Sequence, residues 1–285
     1  MTLLRDRPPH ELDDALASVL ETLGEIAVAV SGGVDSMTLA EVAHLRLGVR
    51  AAMVHAVSPA VPPEATARVR DRAAGQRWDL TVLDAGEFTD PRYRANPVNR
   101  CFFCKTNLYG AIRGRTPRQI VSGTNVDDLG DYRPGLDAAR DHGVRHPYVE
   151  ASLTKSDVRR LAAHLGLGDI AELPAAPCLS SRVETGLPIQ PATLGVIHAA
   201  ERLVAAALSP RTVRCRVRAV GIVIELDPAA LSGLRPEIER DLRRSLDGLL
   251  AEAGVSAPVA FALYRTGSAF LHAAPRGRSD ITSTA

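Results

Sequence analysis

The sequence predicts an α/β fold, with a parallel sheet covered by helices on both faces and a smaller α+β domain after it. Short apolar runs alternate with helical segments over residues 25–166, as in a parallel sheet whose strands are joined by helices. A proline-punctuated stretch at 171–191 ends this rhythm. Beyond it, helices and strands follow in a different order, which indicates a second domain.

The first region contains five candidate strands, at 25–30, 49–56, 79–86, 119–124 and 144–148. Helical segments lie between them, and one helix is marked at both ends. Thr154 and Asp157 form a capping box at its start, and Gly166 is a typical stop. We therefore predict a domain over residues 1–176.

The second region, 177–272, predicts a smaller α+β domain for substrate binding, sulfur transfer and oligomerisation. Helices are expected at about 191–207 and 235–252, with two strands or one bent strand in 212–226 and a last strand at 258–264. The polar tail 273–285 is expected to be disordered.

Composition excludes several classes of protein. The chain has 285 residues, a net charge of +1 and a pI near 7.8, which argues against a broad basic surface for nucleic acid. No apolar run reaches the length of roughly 18 residues needed for a membrane helix, and we expect a cytoplasmic protein without a membrane partner. In a reducing compartment the four cysteines are expected to bind metal, act in catalysis or be buried.

A tight turn at residues 31–36 follows the first strand and opens a helix. At the carboxyl edge of a parallel sheet, free N–H groups of the following helix favour an anion. Gly32 and Gly33 let the backbone approach a phosphate, and the hydroxyls of Ser31 and Ser36 add donors. The turn therefore predicts a phosphate cradle, the alternative being a glycine turn that only joins strand to helix.

This turn reads Ser-Gly-Gly-Val-Asp-Ser and resembles the pyrophosphate loop of the PP-loop ATP pyrophosphatases at all six positions. The resemblance implies an adenine nucleotide alpha hydrolase-like fold and cleavage of ATP to AMP and pyrophosphate while a substrate is adenylated. It also carries over Asp35 as a catalytic residue. A Walker A or Rossmann glycine pattern is absent from the turn.

Four further segments, taken in order, resemble the LarE family of ATP-dependent sulfur transferases: 96–105, 122–135, 177–182 and 264–268. The family builds the nickel-pincer nucleotide cofactor. The resemblance implies that ATP activates a carboxylate of a pyridinium biscarboxylic acid mononucleotide and that sulfur then replaces AMP to give a thiocarboxylate. It also implies a sulfur donor or sulfide as partner, and a homo-oligomer.

Cys178 lies in a polar, proline-flanked turn and matches the sulfur-bearing cysteine of the family. Some members sacrifice this sulfur. We expect Arg182 to favour the Cys178 thiolate, because a neighbouring cation lowers a thiol pKa. The alternative is a cysteine that only fills the core.

Cys101 and Cys104 form a C-x-x-C pair on a segment predicted to run from a loop into a helix. With Cys178 they offer three thiolates, which suits a [4Fe–4S] cluster with one open iron, and some family members have these cysteines. Three alternatives stay open: a structural zinc with a fourth ligand such as Cys215, a redox or persulfide pair, and unligated buried thiols.

Arginines alternate along the segment 213–218. On a strand, Arg214, Arg216 and Arg218 face one way and Cys215 the other, so we expect Cys215 to be buried. Arg214 and Arg216 match part of an Arg-x-Arg pair of the family and are expected to bind substrate phosphate or carboxylate. A solvated strand edge is the alternative.

The segment after the fourth strand carries further candidates. Gly123 and Thr124 are expected to contact the adenosine part of ATP, and His55 either lines the adenine pocket or packs at a strand end. Three acids are expected to bind Mg²⁺ or orient the substrate, or else to favour a helix N-terminus: Asp127, Asp128 and Asp131.

Two other functions are consistent with the loop. A PP-loop tRNA thiolase also uses this chemistry, but the near-neutral charge and the lack of an added RNA-binding or zinc-ribbon module argue against it. A nucleotide-binding module without turnover is the second. Pyrophosphate release that depends on an added carboxylate would exclude the module, and a salt-dependent tRNA complex would favour the thiolase.

Overall fold

A four-stranded parallel sheet forms the centre of the first region, in the order β3-β2-β1-β4. The computed structural model describes residues 7–130, 133–174, 177–265 and 268. The strands are β1 Ile26–Ala29, β2 Ala51–Val57, β3 Asp79–Asp84 and β4 Gln119–Val121. This sheet, with its helices, confirms the predicted α/β fold.

Helices cover both faces because neighbouring strand residues point in opposite directions. Ile26 and Val28 pack into one buried cluster, and Ala27 packs into another. The helices of this region are α1 Pro9–Thr22, α2 Val34–Leu47, α3 Pro63–Gln76, α4 Pro91–Arg94, α5 Arg100–Arg113, α6 Pro134–Asp141, α7 Pro147–Glu150, α8 Lys155–His164 and α9 Gly168–Ala171. Short 3-10 turns lie at Gly48–Arg50, Glu87–Thr89 and Val126–Gly130.

The predicted strand at 144–148 is wrong. Only Arg145 pairs, in one isolated parallel bridge to Val121, and a helical turn begins at Pro147. Proline has no N–H for a sheet ladder, and its fixed φ suits the first position of a helix. The capping box at Thr154 and Asp157 is confirmed.

A three-stranded mixed sheet forms the second region, in the order β5-β6-β7. Its strands are β5 Val213–Arg218, β6 Gly221–Leu226 and β7 Val259–Leu263, so the segment 212–226 is two strands. Helices α10 Pro191–Leu208, α11 Pro228–Ser232 and α12 Pro236–Glu252 complete it, with a 3-10 turn at Leu179–Arg182.

The core of the second region also includes residues of the first. Ala60 and Tyr93 pack in the same cluster as α10, α12 and β6. The domain boundary at 176/177 therefore stays a prediction, and the tail 273–285 lies outside the described residues. No helix in the described ranges has the length and apolar content needed to cross a bilayer.

Candidate active site

The Ser36 hydroxyl holds the turn at 31–36 together by hydrogen bonds. Ser31 donates its backbone N–H to Ser36 Oγ at 3.0 Å, the two hydroxyls lie 3.0 Å apart, and Ser36 Oγ donates to the carbonyl of Gly33 at 3.2 Å. Gly33 is the N-cap of α2 and offers no side-chain cap. The first N–H groups of α2 are therefore available to an anion.

Neighbouring backbone atoms approach this turn so closely that two positions require glycine. Gly32 has φ of +83°, and a Cβ there would lie 2.6 Å from the carbonyl oxygen of Ala65. Gly123 follows β4, and a Cβ there would lie 2.9 Å from the carbonyl carbon of Asp35. The chain after β4 thus lies directly against the start of α2, where Thr124 also follows.

The Asp35 carboxylate has two partners that the sequence did not identify. It forms an ion pair with Lys155 Nζ and accepts a hydrogen bond from Asn125 Nδ2 at 3.2 Å. Tyr148 Oη donates to the Asp35 carbonyl at 2.9 Å. Lys155 is the first residue of α8. The capping box of Thr154 and Asp157, which marks the start of this helix, was the only sequence signal for the position of Lys155. The result is a cation beside the turn at 31–36.

The acidic segment makes mainly structural contacts. Asp127 Oδ2 accepts the backbone N–H of Lys155 at 2.9 Å. Asp128 accepts the N–H of Asn125 at 3.1 Å and pairs with Arg133 at 2.8 Å. Asp131 lies outside the described residues. The magnesium prediction stays untested.

His55 is fully buried at the end of β2. Its Nδ1 lies 2.8 Å from the carbonyl of Val30 and its Nε2 lies 2.9 Å from Thr66 Oγ1. Burial lowers the pKa of His55, against the opposing effect of the Val30 carbonyl. His55 is not among the described residues that line the neighbouring cavity, and its predicted place in an adenine pocket stays a prediction.

A cavity of about 170 Å³ lies at the carboxyl edge of the sheet. Ser31 of the turn and the side chains of Cys104 and Cys178 line it together. Its other walls come mainly from the ends of β1, β2 and β3: Ala29, Val30, Val54, Ala56, Ser58, Ala60, Val61, Ala85, Glu87, Lys105 and Leu108. The fold thus brings three of the predicted residues, Ser31, Cys104 and Cys178, to one cavity, whereas Cys101 is not among the described residues that line it.

The C-x-x-C pair lies within the first turn and a half of α5, not on a loop before it. Burial, with a further contribution from Cys178, raises the pKa of Cys101 and raises that of Cys104 to about 12. Burial therefore favours the neutral thiol at both positions. Within the described ranges, no three His, Cys, Asp or Glu side chains are arranged to hold a metal ion. The cluster prediction stays untested.

Arg182 positions the turn that carries Cys178. Its guanidinium donates to Glu201 at 2.9 and 3.1 Å and to the Cys178 carbonyl at 3.2 Å, and it also donates to the Pro177 carbonyl. Glu201 accepts the backbone N–H of Cys215 at 3.0 Å as well. Glu201 was missed because it lies on α10, remote in sequence from both partners.

The two arginines predicted to act as a pair have different environments. Arg216 is buried, with its guanidinium 2.9 Å from Glu225 Oε2 and 2.9 Å from the Ser181 carbonyl. Arg214 is half-buried, and its guanidinium lies 5.7 Å from the Tyr264 ring. Burial and the nearby charge of Arg182 lower the pKa of Arg214. Cys215 is buried, as expected.

Comparisons with known proteins identify relatives of this chain. No family model matches the chain. The uncharacterized protein slr1717 of Synechocystis is 38% identical over 185 residues, which cover 61% of this chain and 68% of that protein. The chain belongs to the same family as slr1717.

A second relative supports a LarE-like family. The pyridinium-3,5-bisthiocarboxylic acid mononucleotide synthase of Lactiplantibacillus plantarum is 29% identical over 223 residues, or 76% of this chain and 79% of the synthase. The uncharacterized protein MJ0830 of Methanocaldococcus jannaschii is 25% identical over 164 residues, covering 56% of this chain and 61% of its own length.

The LarE-like chain is expected to depend on Arg216 for stability. The side chains of Arg216 and Glu225 are only 6% and 4% exposed, and Arg218 pairs with the same carboxylate at 3.2 Å. Arg216→Ala removes one of these two cations, so it should lower the free energy of unfolding by about 1.5–3 kcal/mol, the range for losing a hydrogen bond to a charged group, as measured by urea denaturation. Arg244→Ala, which breaks an exposed pair with Asp241, is the control and should cost less than about 1 kcal/mol. Equal losses in the two variants would contradict this.

Proposed function

We propose that this LarE-like protein is an ATP-dependent sulfur transferase that converts a carboxylate of a pyridinium dicarboxylic acid mononucleotide to a thiocarboxylate. The observation that carries the proposal is the shared cavity: Ser31 of the phosphate loop and the thiols of Cys104 and Cys178 line it together. A carboxylate activated at the loop would be within the same space as the sulfur. The relative from Lactiplantibacillus plantarum is a pyridinium-3,5-bisthiocarboxylic acid mononucleotide synthase, which supports this acceptor.

In the first step, a carboxylate oxygen of the acceptor attacks the α-phosphorus of ATP. The bond from that phosphorus to the bridging oxygen breaks, and pyrophosphate leaves with the electron pair. The N–H groups at the start of α2 and the ammonium of Lys155 would hold the leaving pyrophosphate. Asp35 would orient Lys155, with which it forms an ion pair. Gly123 and Thr124 would lie along the adenosine, and Mg²⁺ would enter with ATP.

In the second step, hydrosulfide attacks the acyl carbon and the bond from that carbon to the AMP oxygen breaks, which gives a thiocarboxylate and AMP. In a sacrificial route the Cys178 thiolate would attack instead, and β-elimination would then break the Cβ–S bond of the thioester and leave dehydroalanine at position 178. Arg182 would fix the Cys178 turn through its carbonyl contacts. Arg214, close to the charges of Arg182 and Arg216, would bind the acceptor phosphate. This assignment leaves Arg216 a supporting role, because its guanidinium is engaged with Glu225.

An iron–sulfur cluster would be held by Cys101, Cys104 and Cys178. The donor set fits in kind, since cysteine thiolates are the usual ligands of such clusters and Cys104 and Cys178 line one cavity. When bound, a [4Fe–4S] cluster with three protein thiolates would supply an open position for sulfide.

The test is product formation by the purified protein. With ATP, sulfide and pyridine-3,5-dicarboxylic acid mononucleotide, AMP and pyrophosphate should appear together with a thiocarboxylate, detected by mass spectrometry. Omitting the acceptor should suppress pyrophosphate release. ATP binding without release under any condition would indicate a nucleotide-binding module, and tRNA-dependent release lost at high salt would indicate a tRNA thiolase.

A further inference from the structure

The cavity contains a carboxylate that the steps above do not use. Glu87 begins the 3-10 turn after β3, is 5% exposed, and lines the cavity. Its Oε2 atom is buried without a hydrogen-bond partner among the described residues. A buried, unpaired carboxylate oxygen is costly, so a native protein keeps one where a ligand or a proton completes it.

A cation lines the same cavity. Lys105 lies on α5, with its Nζ 5.7 Å from the centre of the Tyr109 ring. Lys105 has no carboxylate within ion-pair distance in the described part of the chain, Glu87 included. The cavity thus presents one negative and one positive group that do not neutralise each other.

The remaining walls suit a flat ring. Most are alanine, valine and leucine side chains from the strand ends and from α5. A ring held there would meet apolar walls on its faces and charged groups at separate points of its edge.

We propose that Glu87 binds the positively charged ring of a pyridinium carboxylate and that Lys105 binds a carboxylate of the same ring. This inference rests on the proposed function and names the groups that recognise its acceptor. An N-substituted pyridinium nitrogen carries no N–H, so it is recognised by charge alone, and an unpaired carboxylate oxygen meets that need. A second carboxylate of the ring would then lie toward Ser31 and Cys178, which line the same cavity.

The proposal predicts two separate discriminations in equilibrium binding to the full chain. Three probes test them: nicotinic acid mononucleotide, whose ring is cationic and carries a carboxylate; its 1,4-dihydro form, whose ring is neutral; and nicotinamide mononucleotide, which lacks the carboxylate. The wild-type protein should bind the first probe roughly ten- to a hundredfold more tightly than either of the others, the usual range for losing a charged partner.

Each variant should lose one discrimination and keep the other. Glu87→Gln should bind the oxidised and dihydro acids equally but still prefer acid to amide. Lys105→Met should lose the preference for acid and keep the preference for the cationic ring. Glu64→Gln, which changes a half-exposed glutamate near His198 and Arg202, is the matched control and should behave as wild type.

The result that overturns the proposal is a Glu87→Gln protein that still discriminates the cationic from the neutral ring as wild type does. If that variant fails to fold, equal binding of the oxidised and dihydro acids by wild type overturns it as well. Thiocarboxylate formation by the same wild-type preparation shows whether the proposed function also fails. If the product is formed, only the assignment of Glu87 and Lys105 is wrong. If neither product nor pyridinium binding is seen, the proposed function falls with it.

Discussion

Asp35→Ala is expected to abolish ATP-dependent AMP release while leaving the fold intact. The carboxylate holds Lys155 by an ion pair and Asn125 by a hydrogen bond, so its loss releases the cation that would meet the leaving pyrophosphate. We expect the rate to fall by at least about a hundredfold, as when a preorganised electrostatic group is removed. The Asp35 side chain is 28% exposed and lies outside the core, so the melting temperature should change little. A coupled pyrophosphate assay measures the rate.

Two further variants test the same assignment. Ser36→Ala removes the hydroxyl that joins Ser31 to Gly33 and should lower the rate in the same way. Asp13→Ala removes a surface carboxylate that pairs with Arg46, and it should leave AMP release unchanged. Normal AMP release in both loop variants would show that the turn at 31–36 does not bind the phosphates.

Local sequence patterns predicted most of the fold because each of them reflects a local steric or hydrogen-bonding requirement. The turn at 31–36 needs φ above zero at Gly32 and a backbone approach at Gly123, so no larger residue fits either position. The capping box at Thr154 similarly fixes the start of α8. The strand predicted at 144–148 failed because Pro147 in the segment Val-Arg-His-Pro-Tyr has no N–H for a sheet ladder and starts a helix instead.

The candidate site was predictable only in part. Motifs identified the loop and Cys178, since each is a contiguous segment with a chemical purpose. Lys155 and Glu201 were missed because their partners lie elsewhere in the chain. Glu87 was missed because its burial at the cavity arises from tertiary packing, which no local pattern marks. Arg216 shows the same limit: strand alternation predicted its direction but not the buried Glu225 that it meets.

Sulfur delivery is expected to depend on Cys101, Cys104 and Cys178 together, by a cluster-dependent route. After anaerobic reconstitution, the protein should be brown, contain iron and sulfide, and turn over repeatedly with added sulfide. Removing Cys101, Cys104 or Cys178 leaves an iron without its protein ligand, so each single Cys→Ala variant should lose colour, iron content and multiple turnover. Cys215→Ala is the matched control, because Cys215 is buried on β5 beside Glu201 and should not affect iron content.

A sacrificial route predicts a different result for the same variants. It needs only the sulfur of Cys178, so Cys101→Ala and Cys104→Ala would each complete one turnover, and the used protein would lose about the mass of H₂S. Intact-protein mass spectrometry after one turnover distinguishes the two routes without relying on rates. Colourless protein after reconstitution, together with that mass loss at Cys178 in Cys101→Ala, would show that Cys178 acts alone.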